Sequence, residues 1–318
     1  MITMSPAGDE VVIATATGRV LARWAAPVTA GHGLRLVREG GEELLWIADN
    51  GIPHPPGPDG SYPSLRRQKG QYGAAVKLSL EGDELLRLEV PPIPGYTEGN
   101  FAPTDVAVDE ERLGGAGDIW LADGYGRHLV HRYDRHGIHL ATLDGTEGLG
   151  RFSQPHGIVI DRRGQAPHLL IADRGNSRIQ AFSLDGAFLG AIGLGDLPSP
   201  SGLAVGGALL YVADLHAGIQ AFDVNGALVG AVAPGLAEPP PGWPNELDSD
   251  GLPTRPRLTA GVLNSPHGIA VDSSGAVVVS EWCIGGRLVR LDPRESHTSS
   301  RLRSEGDNVP EHQKRGPS

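Results

Sequence analysis

One four-strand word written several times over constrains this chain more than any other feature. The segments GHGLRLV (31–37), PTDVAVD (103–109), PHGIVID (155–161), PSGLAV (200–205) and PHGIAVD (266–272) each pair a turn with alternating apolar residues. A second apolar run follows each of them, in four cases closing on Ala-Asp: LLWIADN, DIWLADG, LLIADRG and LYVADLH. In the fifth the run is VVVSEWC, with Ser280 and Glu281 in place of Ala-Asp. A third run comes next, and in four copies a fourth after an Asp-Gly-like turn. Period-two alternation bounded by Gly, Asp and Asn marks strands and hairpins. Four antiparallel strands repeated in this way predict the blades of a β-propeller, an all-β fold. A sandwich has no reason to repeat one four-strand unit.

The composition agrees. Gly (46) and Pro (26) are abundant in the 318 residues, and both are costly inside helices but at home in tight turns. No run of about 18 apolar residues could span a membrane as a helix. The net charge of −11 argues against a general nucleic-acid binder. The single cysteine, Cys283, can form neither an internal disulfide nor a cysteine zinc site. The first ten residues lack the basic and apolar regions of a signal peptide, so a cytoplasmic location is expected.

A single propeller domain over 1–293 follows, with a polar tail over 294–318 expected to be disordered. Residues 10–24 read as the last two strands of a blade. They either close a five-bladed ring or belong to an incomplete first blade of six. Two insertions, 50–73 and 234–263, interrupt the blades after a second and a fourth strand. Strand parity puts both on one face, at one mouth of the central channel. The cations Arg66, Arg67 and Lys69 in the first of them read as a solvated patch.

Aligning the five turns gives one position just ahead of each innermost strand. Its occupants are His32, Thr104, His156, Ser201 and His267. Histidine falls in every second blade, and in a six-bladed ring alternate blades lie about 120° apart, so three imidazoles would converge on the axis. That regularity favours six blades over five. Three histidines with an open fourth position suit a catalytic zinc ion. Of the remaining histidines, His128, His131, His136 and His139 read as exposed strand or turn residues. The residues after the second strands face the same mouth, among them Tyr125 and Arg174. Tyr125 could move a proton and Arg174 could grip a carboxylate with two parallel hydrogen bonds. The alternatives are an aromatic lid on its loop and an arginine paired with Asp173 or Asp185.

PTDVAVD…LADGYGRHLV, QPHGIVID…IADRGNSRIQAF and SPHGIAVD together resemble the NHL-repeat propellers. Among these the chain is most similar, over about residues 30–292, to the catalytic core of peptidyl-α-hydroxyglycine α-amidating lyase. The resemblance implies a six-bladed propeller whose channel zinc is held by His32, His156 and His267. It also implies a catalytic tyrosine at Tyr125 and an active-site arginine at Arg174. That family cleaves a carbinolamide to an amide and glyoxylate. Its structural calcium relies on an Asp after the last histidine, where this chain has Gly268, so the calcium does not carry over. Its upstream substrate arginine has no clear counterpart before His32, where Arg23 lies too close.

The expected function is therefore a zinc-dependent lyase or hydrolase acting on a small polar or carboxylate-bearing molecule at the channel mouth. The alternative is a non-enzymatic propeller presenting that face to a protein or ligand. A gluconolactonase-type calcium enzyme is a third reading, but its hard cation wants oxygen ligands, whereas these slots hold His, Thr and Ser.

Overall fold

A computed structural model describes residues 1–54, 57, 72–96 and 100–293. Arg66, Arg67, Lys69 and the tail 294–318 lie outside the described residues. Six antiparallel sheets in succession form the six blades of a propeller, and a separate two-stranded ribbon, Glu246–Leu247 and Pro253–Thr254, lies in the second insertion. Blade 1 consists of Ile2–Met4, Glu10–Ala14 and Val20–Ala25. Blade 2 consists of Gly31–Glu39, Glu42–Asp49, Ala74–Leu78 and Glu84–Leu88. Blade 3 follows with Asp105–Val108, Ile119–Asp123, Leu129–Tyr133 and His139–Leu143. Blade 4 uses Pro155–Asp161, His168–Asp173, Arg178–Ser183 and Phe188–Ile192. Pro200–Gly206, Leu209–Asp214, Gly218–Phe222 and Leu228–Pro234 make blade 5. Pro266–Val271, Val277–Glu281 and Arg287–Leu291 make blade 6. No helix among the described residues is long and apolar enough to cross a membrane.

The blade count resolves to six, because the N-terminal strands form their own sheet instead of completing blade 6. That sheet has a third strand, Ile2–Met4, which three residues of period-two pattern were too short to announce. Elsewhere the outermost strand of a blade leads directly into the innermost strand of the next. Val20–Ala25 leads into Gly31–Glu39 in that way, so it is outermost and largely exposed. Counting inward, Ile2–Met4 occupies the second-strand position. Among the described residues nothing pairs with its inner edge, and blade 1 has no innermost strand. Among the described residues blade 6 has no outermost strand either.

Inward-facing apolar residues of neighbouring blades interdigitate, as face-to-face sheets do. Trp46, Phe101 and Leu121 join blade 2 to blade 3, and Trp120, Ile158 and Phe182 join blade 3 to blade 4. Similar clusters join blades 4 and 5, 5 and 6, and 1 and 2. Among the described residues no buried apolar cluster joins blade 6 to blade 1. Leu288 of blade 6 and Val20 and Leu21 of blade 1 stay exposed. Among the described residues the wheel therefore has one open seam.

The Ala-Asp signature has a structural cause. Each of these carboxylates is buried and accepts backbone N–H groups from the turn that carries its blade's innermost strand. Asp49 takes Thr29 and Ala30, Asp123 takes Ala102, Asp173 takes Ser153, and Asp214 takes Ser199. Glu281 does the same for Asn264 at 2.5 Å, which explains why a longer acid could replace Asp in the last repeat. Buried turn amides need such acceptors. The motif thus fixes the two to three residues ahead of each hub position.

The candidate metal centre at the hub

The three histidines meet. The ring centroids of His32, His156 and His267 are 4.8, 4.9 and 4.6 Å apart, each pair edge to face. Their nearest ring nitrogens all lie within 4.8 Å of one another. Thr104 and Ser201 occupy the alternate slots and are fully buried. A hub this narrow has room for three large side chains, and small hydroxyls fill the spaces between them.

Those small residues also orient the rings. His32 Nδ1 donates to the Thr104 carbonyl at 2.7 Å, and His156 Nδ1 donates to the Ser201 carbonyl at 2.9 Å. A carbonyl can only accept, so each Nδ1 carries the proton and each Nε2 presents its lone pair to the hub. Thr104 Oγ1 in turn lies 3.0 Å from the carbonyls of Pro155 and His156, tying blade 3 to blade 4. Burial pushes the His32 imidazole down to about 4, opposed by its backbone hydrogen bond and aided by the Arg174 charge. Burial, again with help from Arg174, pushes His156 well below the usual imidazole range. Burial does the same to His267, helped by His32 and then Arg174. All three are neutral at pH 7, which is the state a metal needs.

A metal fits this donor set. Tetrahedral zinc with Zn–N bonds of about 2.0–2.1 Å needs nitrogens about 3.4 Å apart, so each would move inward by less than about 1 Å. No other cluster of three or more metal-binding side chains occurs among the described residues. Gly268 offers no carboxylate beside the last histidine, so the calcium-serving Asp has no replacement there.

Tyr125 and Arg174 sit where the loop parity places them. The Tyr125 hydroxyl lies 3.1 Å from His156 Nε2, to which it donates, and its ring is 5.1 Å from that of His32. Arg174 covers the tyrosine ring, with its guanidinium carbon 5.4 Å from the centroid, and reaches the hydroxyl at 3.4 Å. Its other contact is Gln154 Oε1, also at 3.4 Å. The alternative pairing with Asp173 does not occur, because Arg178 takes that carboxylate at 2.8 Å. Arg174 has no ion pair among the described residues, so its charge is free to meet an anion over the hub. In the second insertion the Trp243 ring lies against His216, with centroids 4.5 Å apart and planes tilted by 32°.

Arg35 and Asp105, to which the sequence reading assigned no role, tie the innermost strands together a few residues beyond the histidines. Arg35 pairs with Asp105 at 3.2 Å and donates to the carbonyls of Val106 and Ile158, so it spans three innermost strands. Burial raises the Asp105 carboxyl despite that partner. A signal was there: Asp105 stands where Gly33, Gly157, Gly202 and Gly268 stand in the other repeats. His131 corrects the sequence reading. It is wholly buried, bonded to Tyr96 at 2.6 Å and Thr142 at 2.9 Å, because Leu129–Tyr133 turns it inward.

Fold and hub together define a six-bladed β-propeller with three histidines gathered at its hub. The NHL repeat family model matches residues 152–182, the first three strands of blade 4. Human NHL repeat-containing protein 3 is 29% identical over 191 residues, covering 57% of this chain and 48% of that protein. The mouse protein of the same name is 27% identical over 203 residues, covering 60% and 51%. The chain spans about half the length of the curated relatives it matches. Among solved structures, a streptogramin B lyase is similar with a TM-score of 0.53, 17% identity and coverage of 91% and 92%. The Nidogen/Laminin complex has a propeller with the same TM-score, 15% identity and coverage of 90% and 86%. Likeness at these identities is likeness of fold.

Proposed function

We propose that the hub holds a zinc ion on His32, His156 and His267 and that the protein is a lyase-type enzyme for a small polar, carboxylate-bearing substrate. The observation that carries this reading is the convergence of three neutral imidazoles, two of them locked with Nε2 toward the axis. Bound zinc supplies Lewis acidity toward a substrate hydroxyl or carbonyl oxygen, or a more acidic water. The protein supplies the rest. Arg174 receives the substrate carboxylate, since its guanidinium has no carboxylate of its own among the described residues. Tyr125, at 3.1 Å from a ligand nitrogen, stands within reach of a substrate oxygen at the hub and takes or returns its proton. The Arg174 charge beside that hydroxyl stabilises negative charge as it develops on the phenol oxygen. Trp282 lies beside the hub, 6.3 Å from the His267 ring, on the side where substrate would enter. The likeness to the amidating lyase supports carbon–oxygen or carbon–nitrogen bond cleavage next to a carboxylate as the reaction class.

The zinc content of protein purified without added metal tests the site. About one zinc per chain is expected, lost in His156→Ala, whereas less than ~0.2 in the wild type overturns it. A propeller that only presents its face to a partner would carry no stoichiometric metal. Glyoxylate release from an N-acyl-α-hydroxyglycine probe tests the reaction. Its absence from zinc-loaded protein would reject the lyase reading and leave the metal site standing.

A further inference from the structure

The three hub histidines are not equivalent, and the open seam is the reason. His32 in blade 2 is held by a carbonyl of blade 3, and His156 in blade 4 by a carbonyl of blade 5. By the same rule His267 in blade 6 would be held by a slot residue on an innermost strand of blade 1, and the described residues include no such strand. Among the described residues no hydrogen bond holds the His267 ring; its neighbours are the other two imidazoles and Trp282 at 6.3 Å.

The glycines that follow the slots record the same gap. A methyl group on Gly33 would strike the backbone of Thr104 and Asp105 at 2.6 Å, and one on Gly157 the Ser201 carbonyl at 2.5 Å. One on Gly202 would meet the His267 carbonyl at 2.7 Å. On Gly268 it would meet, among the described residues, only the Ser280 side chain of its own blade. Among the described residues the next innermost backbone is present in three cases and absent in the fourth. The lack of an apolar cluster between blades 6 and 1 makes a third, separate observation of the same seam.

We propose that His267 is the mobile member of the trio: two imidazoles are fixed by neighbouring strands, and the third turns freely toward the seam and is the ligand that gives way when the metal changes partners. The role of the Thr104 and Ser201 strands is to position the other two. Ligand histidines whose second nitrogen is bonded hold metal better, by roughly 10–100-fold, than those left unsupported. The metal part of this inference rests on the zinc reading; the orientation of the rings does not.

Two measurements separate these. In metal-free wild-type protein labelled with ¹⁵N in its imidazoles, two-bond ¹H–¹⁵N correlations should show His32 and His156 as single Nδ1–H tautomers. His267 should give averaged nitrogen shifts. A single fixed tautomer at His267 overturns the proposal whether or not zinc binds. Zinc affinity is then read by competition with a chromophoric chelator. His32→Ala and His156→Ala should each cost at least about tenfold more affinity than His267→Ala. Equal losses, or the largest loss at His267, also overturn it. A wild type that takes up no zinc rejects the metal reading, while the imidazole spectra still decide the asymmetry.

Discussion

Replacing Gly157 and Gly268 by alanine, one at a time, puts the open seam to a quantitative test. Neither glycine has a positive φ, so alanine strains neither backbone directly. At Gly157 the added carbon would lie 2.5 Å from the Ser201 carbonyl oxygen and 3.1 Å from both Gly202 Cα and Leu203 N. All three are backbone atoms of an innermost strand, so the strand itself must shift, at an overpacking cost of about 3 kcal/mol. Restricting the unfolded chain returns about 0.5–1 kcal/mol, leaving a net loss of about 2 kcal/mol. At Gly268 the only close atom among the described residues is Ser280 Oγ at 2.6 Å, which rotates away. That movement gives up the weak 3.2 Å bond from the Gly268 amide, about 1 kcal/mol, against a similar gain from the unfolded state. Thermal unfolding of the metal-free proteins should therefore show Tm lower by about 3 °C for Gly157→Ala and within about 1 °C of wild type for Gly268→Ala. Equal losses would mean that backbone lies against Gly268 after all, and the argument for an unsupported His267 would fail with it.

Three further outcomes follow from the same geometry. Asp173→Ala removes the acceptor for Ser153 N, Asn176, Arg178 and Gln180, and should lower stability in urea by about 3–5 kcal/mol, since it strands a buried cation and an amide. Arg35→Ala leaves Asp105 buried without its partner and should cost about 3–5 kcal/mol; adding Asp105→Gly, the residue of the other repeats, should recover most of it, and strict additivity in that double-mutant cycle would refute the coupling. Burial pushes the His131 imidazole down to about 3, so the folded state excludes a proton that the unfolded state binds below pH 6.5. Its contribution is complete above about pH 6.5 and is lost as pH falls toward 3, so between pH 6 and 4 the wild type should lose up to about 1.4 kcal/mol per pH unit more than His131→Gln in urea titrations, and parallel curves would contradict it.

Repetition made most of this protein legible in one dimension. The turn before each innermost strand and the Ala-Asp after each second strand recur because every blade solves one problem, anchoring a buried turn with a buried carboxylate. Alignment of the repeats therefore located His32, His156 and His267, and strand parity put Tyr125 and Arg174 above them. These are periodic properties, and periodicity survives in sequence. What breaks the period was settled only by the folded chain. Ile2–Met4 is too short to show alternation and becomes a strand only through pairing with Glu10–Ala14. His131 lies on a strand whose sequence gives equal licence to either face, and packing against Tyr96 and Phe101 turned it inward. The Arg35–Asp105 pair joins strands 70 residues apart, a contact for which no local pattern exists. The inequality of the three histidines is likewise a property of closure. Whether each ring finds a carbonyl depends on the blade beside it, and the first and last blades become neighbours only when the wheel comes round.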